Sequence, residues 1–234
     1  MARRAYLLSL SMPLPASEHP HDAIEAFIWD CCFVVERYDR RVINRRIVRI
    51  HREDMCQAFG VPPAKKYENA GGPSVSRIVN FLRENSGAPR EDSLTFIDAM
   101  AYNWMVGGTD AHAKNYSILN CAGGRVRLAP LYDVAGTLPY DELDPLKLNL
   151  AMKLGGKYRL KDVGARCWEK LSKEVRLDKK QVARRVCEMA GTLPVEAQAI
   201  RKNLEESGIE HRVLDRLNER LGVHAEKCAR SFVI

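Results

Sequence analysis

GGTDAHAKNYSIL, residues 107–119, sets an aspartate, a histidine, a lysine and an asparagine within six positions, directly after the largely apolar run SLTFIDAMAYNWMV at 93–106. A run of that length reads as a helix buried in a core. Residues 116–136, YSILNCAGGRVRLAPLYDVAG, then give two short β-like runs joined at Ala122-Gly123-Gly124. That is the pattern of a hairpin, with its second strand ending at Asp133. Asp110, Asn115 and Asp133 therefore follow one another along one edge. The fold this implies is α+β and predominantly helical.

The segments before the loop are read in the same way. CCFVVERY, 31–38, is a β-branched and aromatic run suited to a buried strand, and DRRVINRRIVRI after it alternates as a second strand, so a hairpin is expected between them. HREDMCQAFGVP, 51–62, reads as a short helix stopped by Gly60 and Pro62. A second helix is expected to start near Pro73 or Ser74, with Ile78, Phe81 and Leu82 on one face. Residues 1–30 are punctuated by Pro13, Pro15 and Pro20, and only DAIEAFIW, 22–29, hints at a helical turn. From about 160 the pattern is helical, with a break at GTLP, 191–194.

At 234 residues and 46% apolar composition the chain can bury a substantial core. A net charge of +7 points weakly to phosphate-bearing partners. Its seven cysteines include no C-x-x-C pair, which suits a reduced, cytoplasmic protein without a zinc cage. The start, MARRAYLLSLSMPLPAS, has the basic-then-apolar order of a secretory signal, but its apolar part is short and broken by prolines. No run approaches the roughly twenty apolar residues of a membrane span, so no membrane role is expected.

Phosphoryl transfer needs a carboxylate to accept the proton of the attacking hydroxyl and oxygen ligands to hold magnesium against the nucleotide phosphates. An Asp-x-x-x-x-Asn loop followed by a second Asp supplies both. Taken singly the residues have plainer uses. Asp110 suits a cap or turn, His112 a structural hydrogen bond, Lys114 a solvated charge, and Glu36-Arg37 an ion-paired strand end.

Taken together, GGTDAHAKN followed by LAPLYD resembles the catalytic and metal-binding segments of the HipA family of bacterial serine/threonine kinases. VVERYDRR, IHREDMCQAFGVPPAKKYENAGGP and LKLNLAMKLGG are similar to further segments of that family, in the same order. The resemblance implies a kinase-like C-terminal lobe over 33–234, with short hairpins at the hinge and at the metal-binding segment, preceded by an atypical leader or remnant N-lobe at 1–32. It implies Asp110 as catalytic aspartate, Asn115 and Asp133 as magnesium ligands, and His112, Ala113, Lys114 and Tyr132 beside the nucleotide. Glu36, Arg37 and Tyr38 would form the hinge that receives adenine.

ATP and Mg2+ are the implied cofactors. The implied partners are a HipB-like helix-turn-helix antitoxin, operator DNA reached through that complex, and glutamyl-tRNA synthetase as protein substrate. Lys173 and Arg176, in RCWEKLSKEVR, match the region where family members touch operator phosphates; read alone, they are a solvated helix face. The family carries a phosphate-gripping lysine ahead of the hinge, whereas the first lysine here is Lys65. That departure makes an inactive module that binds an antitoxin–DNA complex the alternative expectation. Phe33, Val34 and Val35 are then expected to be left as an open strand edge that favours association. An unrelated basic DNA-binding helical domain is the remaining reading; it leaves the Asp-Asn-Asp order without a purpose.

Overall fold

The structure is a computed structural model and describes residues 22–27, 30–35 and 37–232. Its axis is α3, Pro89–Val106, entered through a proline at the first helical position and carrying Glu91 and Asp92 in its first turn, where acidic groups offset the helix dipole. From Phe96 to Val106 nearly every side chain of α3 is buried, so the helix shows no polar face. Before it, α2, Val75–Asn85, is capped by Ser74, whose hydroxyl accepts from the Arg77 amide at 3.2 Å. Its Ile78, Val79 and Leu82 pack on α3.

Five strands precede these helices: β1 Asp22–Phe27, β2 Asp30–Val35, β3 Arg40–Ile43, β4 Arg46–Arg49 and β5 Arg52–Asp54. β5 runs straight into α1, Met55–Ala58, through a capping box between Asp54 and Gln57. After α3 come β6 Ser117–Asn120 and β7 Val126–Leu128, and β5-β6-β7 form one antiparallel sheet with Arg52 opposite Leu119 and Ile118 opposite Leu128. β8 Asn149–Leu154 and β9 Lys157–Arg159 make a further hairpin. The chain ends in α4 Ala165–Glu174, α5 Lys179–Glu206 and α6 Arg212–Arg230. α5 packs along α6 and both touch α3, while Trp104 and Trp168 meet with ring centroids 5.7 Å apart. No described helix is long and apolar enough to cross a membrane.

Several expectations are corrected. Asp22–Phe27 is a strand rather than a helical turn, and it is the partner of β2, with Ile24 opposite Phe33. Phe33, Val34 and Val35 are thus paired on one side. DRRVINRRIVRI is not one strand; it folds on itself as β3–β4, because Asn44 and Arg45 adopt φ of 49° and 62°, the left-handed pair of a tight hairpin turn. The helix read at 51–62 shrinks to four residues, since Arg52–Asp54 pair into the sheet. β7 stops at Leu128, so Asp133 lies in the irregular segment beyond the hairpin.

GTLP does not break α5, which carries Pro194 inside it. Lys173 and Arg176 do not share a helix face either: α4 ends at Glu174, and Arg176 sits past it with φ of 54°. Both remain exposed.

Candidate active site

The site begins where α3 stops. Gly107 takes φ of 68° and its neighbour donates its amide to the Asn103 carbonyl at 2.7 Å. A Cβ on Gly107 would stand 2.8 Å from Thr137 Oγ1, and one on Gly108 would overlap the Asn103 amide, so only this glycine pair lets the chain turn out of the core there. Asn103 is itself buried; its Nδ2 donates to the Ala99 carbonyl at 2.9 Å and the Tyr116 hydroxyl at 3.0 Å, holding the far end of the loop. Tyr116 keeps its proton, because complete burial pushes its phenol well above the usual range.

Within the loop the His112 amide donates to the Asp110 carbonyl at 2.8 Å and the Asn115 amide to the His112 carbonyl at 2.9 Å, a tight turn that buries Ala113 and Asn115 and leaves Asp110 in solvent. Asn115 Nδ2 then donates to two main-chain carbonyls, Asp110 O at 3.1 Å and Asp133 O at 3.2 Å. With both partners acceptors, the nitrogen must face them, and the amide oxygen is the atom left for a cation. Asp133 has φ of 54°, an uncommon conformation for a residue with a Cβ, and one that clusters at functional sites.

His112 is buried, and burial together with the charge of Lys66 holds its imidazole below the ordinary histidine range although Asp110 and Asp133 pull it up. Its Nε2 lies 3.9 Å from Asp110 Oδ1, too far for a hydrogen bond, and its Nδ1 is buried without a partner.

Tyr132 links this loop to the segment that the hinge expectation covers. Its hydroxyl donates to the Lys114 carbonyl at 2.6 Å and so accepts from Ser117 Oγ at 2.5 Å. Arg52 lies over the Tyr132 ring at 5.3 Å and over the Tyr38 ring at 5.9 Å, and donates to the Tyr38 hydroxyl at 3.0 Å. Arg37 is exposed and bound to the buried Asp39 through two hydrogen bonds of 2.9 and 2.7 Å. The Arg37 guanidinium in turn holds the Asp39 carboxyl below the usual carboxylate range. Glu36 lies outside the described residues. Thus Asp110, His112, Ala113, Lys114, Asn115, Tyr132 and Asp133 come together, and Tyr38 reaches them through Arg52.

Sequence reasoning missed Tyr67, whose hydroxyl donates to Asp110 Oδ1 from 43 positions away, and Lys66, whose carbonyl accepts from the Ala113 amide at 3.3 Å. Both belong to KYENAGG, 66–72, which by itself reads as no more than a glycine turn ahead of a helix. It also missed Arg52, whose guanidinium bridges two tyrosine rings, an arrangement only the sheet register creates. Among the described residues no cluster of three or more His, Cys, Asp or Glu is placed to hold a metal alone. Magnesium asks for less, because it is commonly held by one or two protein oxygens with phosphates and water completing the shell. An amide oxygen on Asn115 and a carboxylate on Asp133 are the hard donors it prefers.

The model of the HipA-like C-terminal domain matches residues 14–197. The chain belongs to that family. Among HipA-like relatives it is 39% identical over 175 residues to Y4mE of Sinorhizobium fredii, a candidate kinase, covering 74% of this chain and 40% of that one. It is 32% identical over 139 residues to the serine/threonine-protein kinase toxin HipA of Shewanella oneidensis, covering 53% and 30%. A solved complex of Shewanella oneidensis HipA with HipB and its operator DNA superposes with a TM-score of 0.78 at 22% identity, over 89% of this chain and 51% of that one. This likeness establishes the fold. The HipA-like chain described here spans about half or less of the length of these relatives.

Proposed function

We propose that the protein is the nucleotide- and metal-binding lobe of a HipA-like serine/threonine kinase toxin, transferring the γ-phosphoryl group of ATP to a protein serine. The observation that carries this is the Asn115 side chain donating at once to the carbonyls of Asp110 and Asp133. The main chains of a loop aspartate and of a second aspartate 23 positions on are thereby tied together through one amide nitrogen, with the amide oxygen left over. In this reading Asp110 accepts the proton of the attacking hydroxyl, and Asn115 and Asp133 hold Mg2+, which when bound would neutralise charge on the phosphates. Lys114 adds positive charge beside the same phosphates. His112, kept neutral, with Ala113 and Tyr132 forms the wall, and Glu36, Arg37 and Tyr38 receive the adenine.

The test is titration calorimetry with ATP in the presence and absence of Mg2+, on the chain and on Asp133→Ala. Magnesium-dependent binding that disappears in the variant is expected. A wild-type chain that binds no ATP at millimolar concentration would sink the proposal.

The finer parts of the reading follow the family. A HipB-like antitoxin would neutralise the toxin, operator DNA would be reached through that complex, and glutamyl-tRNA synthetase would be the substrate whose phosphorylation halts translation. Lys173 and Arg176 are the exposed cations proposed to touch the operator backbone. Each phosphate contact contributes about one unit to the slope of log K against log salt. Reversing both charges is therefore expected to flatten that slope for the antitoxin complex by about two, and an unchanged slope would remove them from the interface.

A further inference from the structure

Tyr67 has no part in the mechanism above, yet its hydroxyl donates to Asp110 Oδ1. The segment that carries it is fixed from three sides. The amides of Ala70 and Gly72 both donate to the Tyr67 carbonyl, at 3.0 and 2.9 Å, and a Cβ on Gly72 would stand 2.5 Å from the Lys65 carbonyl and 2.7 Å from that of Tyr67. The turn therefore closes this tightly only around glycine. Glu68 next door accepts from the Lys153 amide at 2.7 Å, tying the segment to β8, and the Ala113 amide bonds to the Lys66 carbonyl at 3.3 Å, tying it to the polar loop. The phenol ring meets His112 edge-on, with centroids 5.2 Å apart.

Asp110 is held by much less. Its side chain is 61% exposed, and a solvent-facing carboxylate turns freely unless something holds it. His112 does not hold it, since its Nε2 is beyond hydrogen-bonding distance. The rigidly mounted Tyr67 hydroxyl does.

We infer that Tyr67 is a positioning residue for Asp110, binding one carboxylate oxygen so that the other is presented to the hydroxyl to be phosphorylated. This rests on the kinase reading of Asp110. The bond to Asp110, with burial, pushes the Tyr67 phenol up to about 12, so it remains a proton donor throughout the physiological range.

The experiment is Tyr67→Phe, which keeps the ring and its packing on His112. Phosphorylation of a serine-containing acceptor peptide is followed with Mg2+ and ATP. A kcat about 10- to 100-fold lower is expected, with the KM for ATP and the thermal unfolding midpoint unchanged. An unchanged kcat overturns the inference, and so does a fall in kcat matched by a fall in the unfolding midpoint.

A wild-type chain that turns nothing over counts against the kinase reading instead, and the contact is then read by NMR on protein labelled with 13C at the tyrosine Cζ. The resonance missing from Tyr67→Phe should titrate at about 12 in the wild type and fall toward the free value of roughly 10 in Asp110→Ala. A Tyr67 resonance that titrates identically in both proteins means that Tyr67 does not hold Asp110.

Discussion

Two histidines make the acid sensitivity of this fold predictable. Burial is the main reason that both His112 and His224 bind protons less readily than a free imidazole; Lys66 adds to the effect at His112 and Lys227 at His224, against the pull of the Trp104 carbonyl. A lowered pKa means the unfolded chain binds more protons than the folded one between the folded value and about 6.5. The stability the two neutral rings contribute is therefore fully present above about 6.5 and is lost as pH falls through that window. The thermal midpoint should drop between about pH 7.5 and about pH 5.5. In His224→Gln the amide can still donate to the Trp104 carbonyl that Nε2 meets at 3.1 Å, and the drop should shrink. An equal drop in the variant would place the acid sensitivity elsewhere. At this scale the sequence was legible where partners lie close along the chain, as with Asp110 and Asn115. Tyr67 was not, because its meeting with Asp110 is made by tertiary packing across 43 positions.

Among the elements, the helices α2 and α3 could be read because an apolar stripe, or an unbroken apolar run, survives any choice of neighbour. The β6–β7 hairpin was legible from its glycine turn, but β5 was not: it has three residues and exists because β6 lies beside it. The β8–β9 hairpin did leave a signal, the Gly155-Gly156 pair with φ of 57° and 91°, a turn chemistry that marks hairpins directly.

GTLP misled in the opposite direction. Gly191 and Pro194 disfavour a helix, Pro194 by lacking the amide that would reach the Ala190 carbonyl, yet burial of Ala190, Leu193 and Ala197 carries α5 through them. The cost of Gly191 should be recoverable. A Cβ there meets nothing within 4 Å, so Gly191→Ala is expected to stabilise the fold by about 1 kcal/mol. That gain corresponds to roughly 2–4 °C in the unfolding midpoint. No gain at all would mean that the helix is interrupted at this point.

For the molecule as a whole, the question is where the folding unit starts. The family likeness takes in residues from 14 onward, whereas the apolar core formed by residues 37–232 begins at Met55 and runs to Cys228. Between them, β3–β4 adds little to that core: Val42 and Ile47, opposite each other across the hairpin, are 75% and 74% exposed. What joins residues 37–52 to the rest runs through Arg52, which pairs with Leu119 in the sheet and lies over the Tyr132 ring, whereas the pairs of Asp39 with Arg37 and Arg40 lie within the segment. A cation–π contact of this kind contributes about 0.5–2 kcal/mol. Among residues 37–232, stability should therefore reside in the part from Met55 onward, and the β3–β4 hairpin should matter little to folding. Replacing Val42 and Ile47 together by serine is expected to leave one cooperative thermal transition, with its midpoint moved by only a few degrees. A large fall in the midpoint would show that the apolar side chains of β3–β4 are part of the core, and would move the boundary of the folding unit toward the start of the family match.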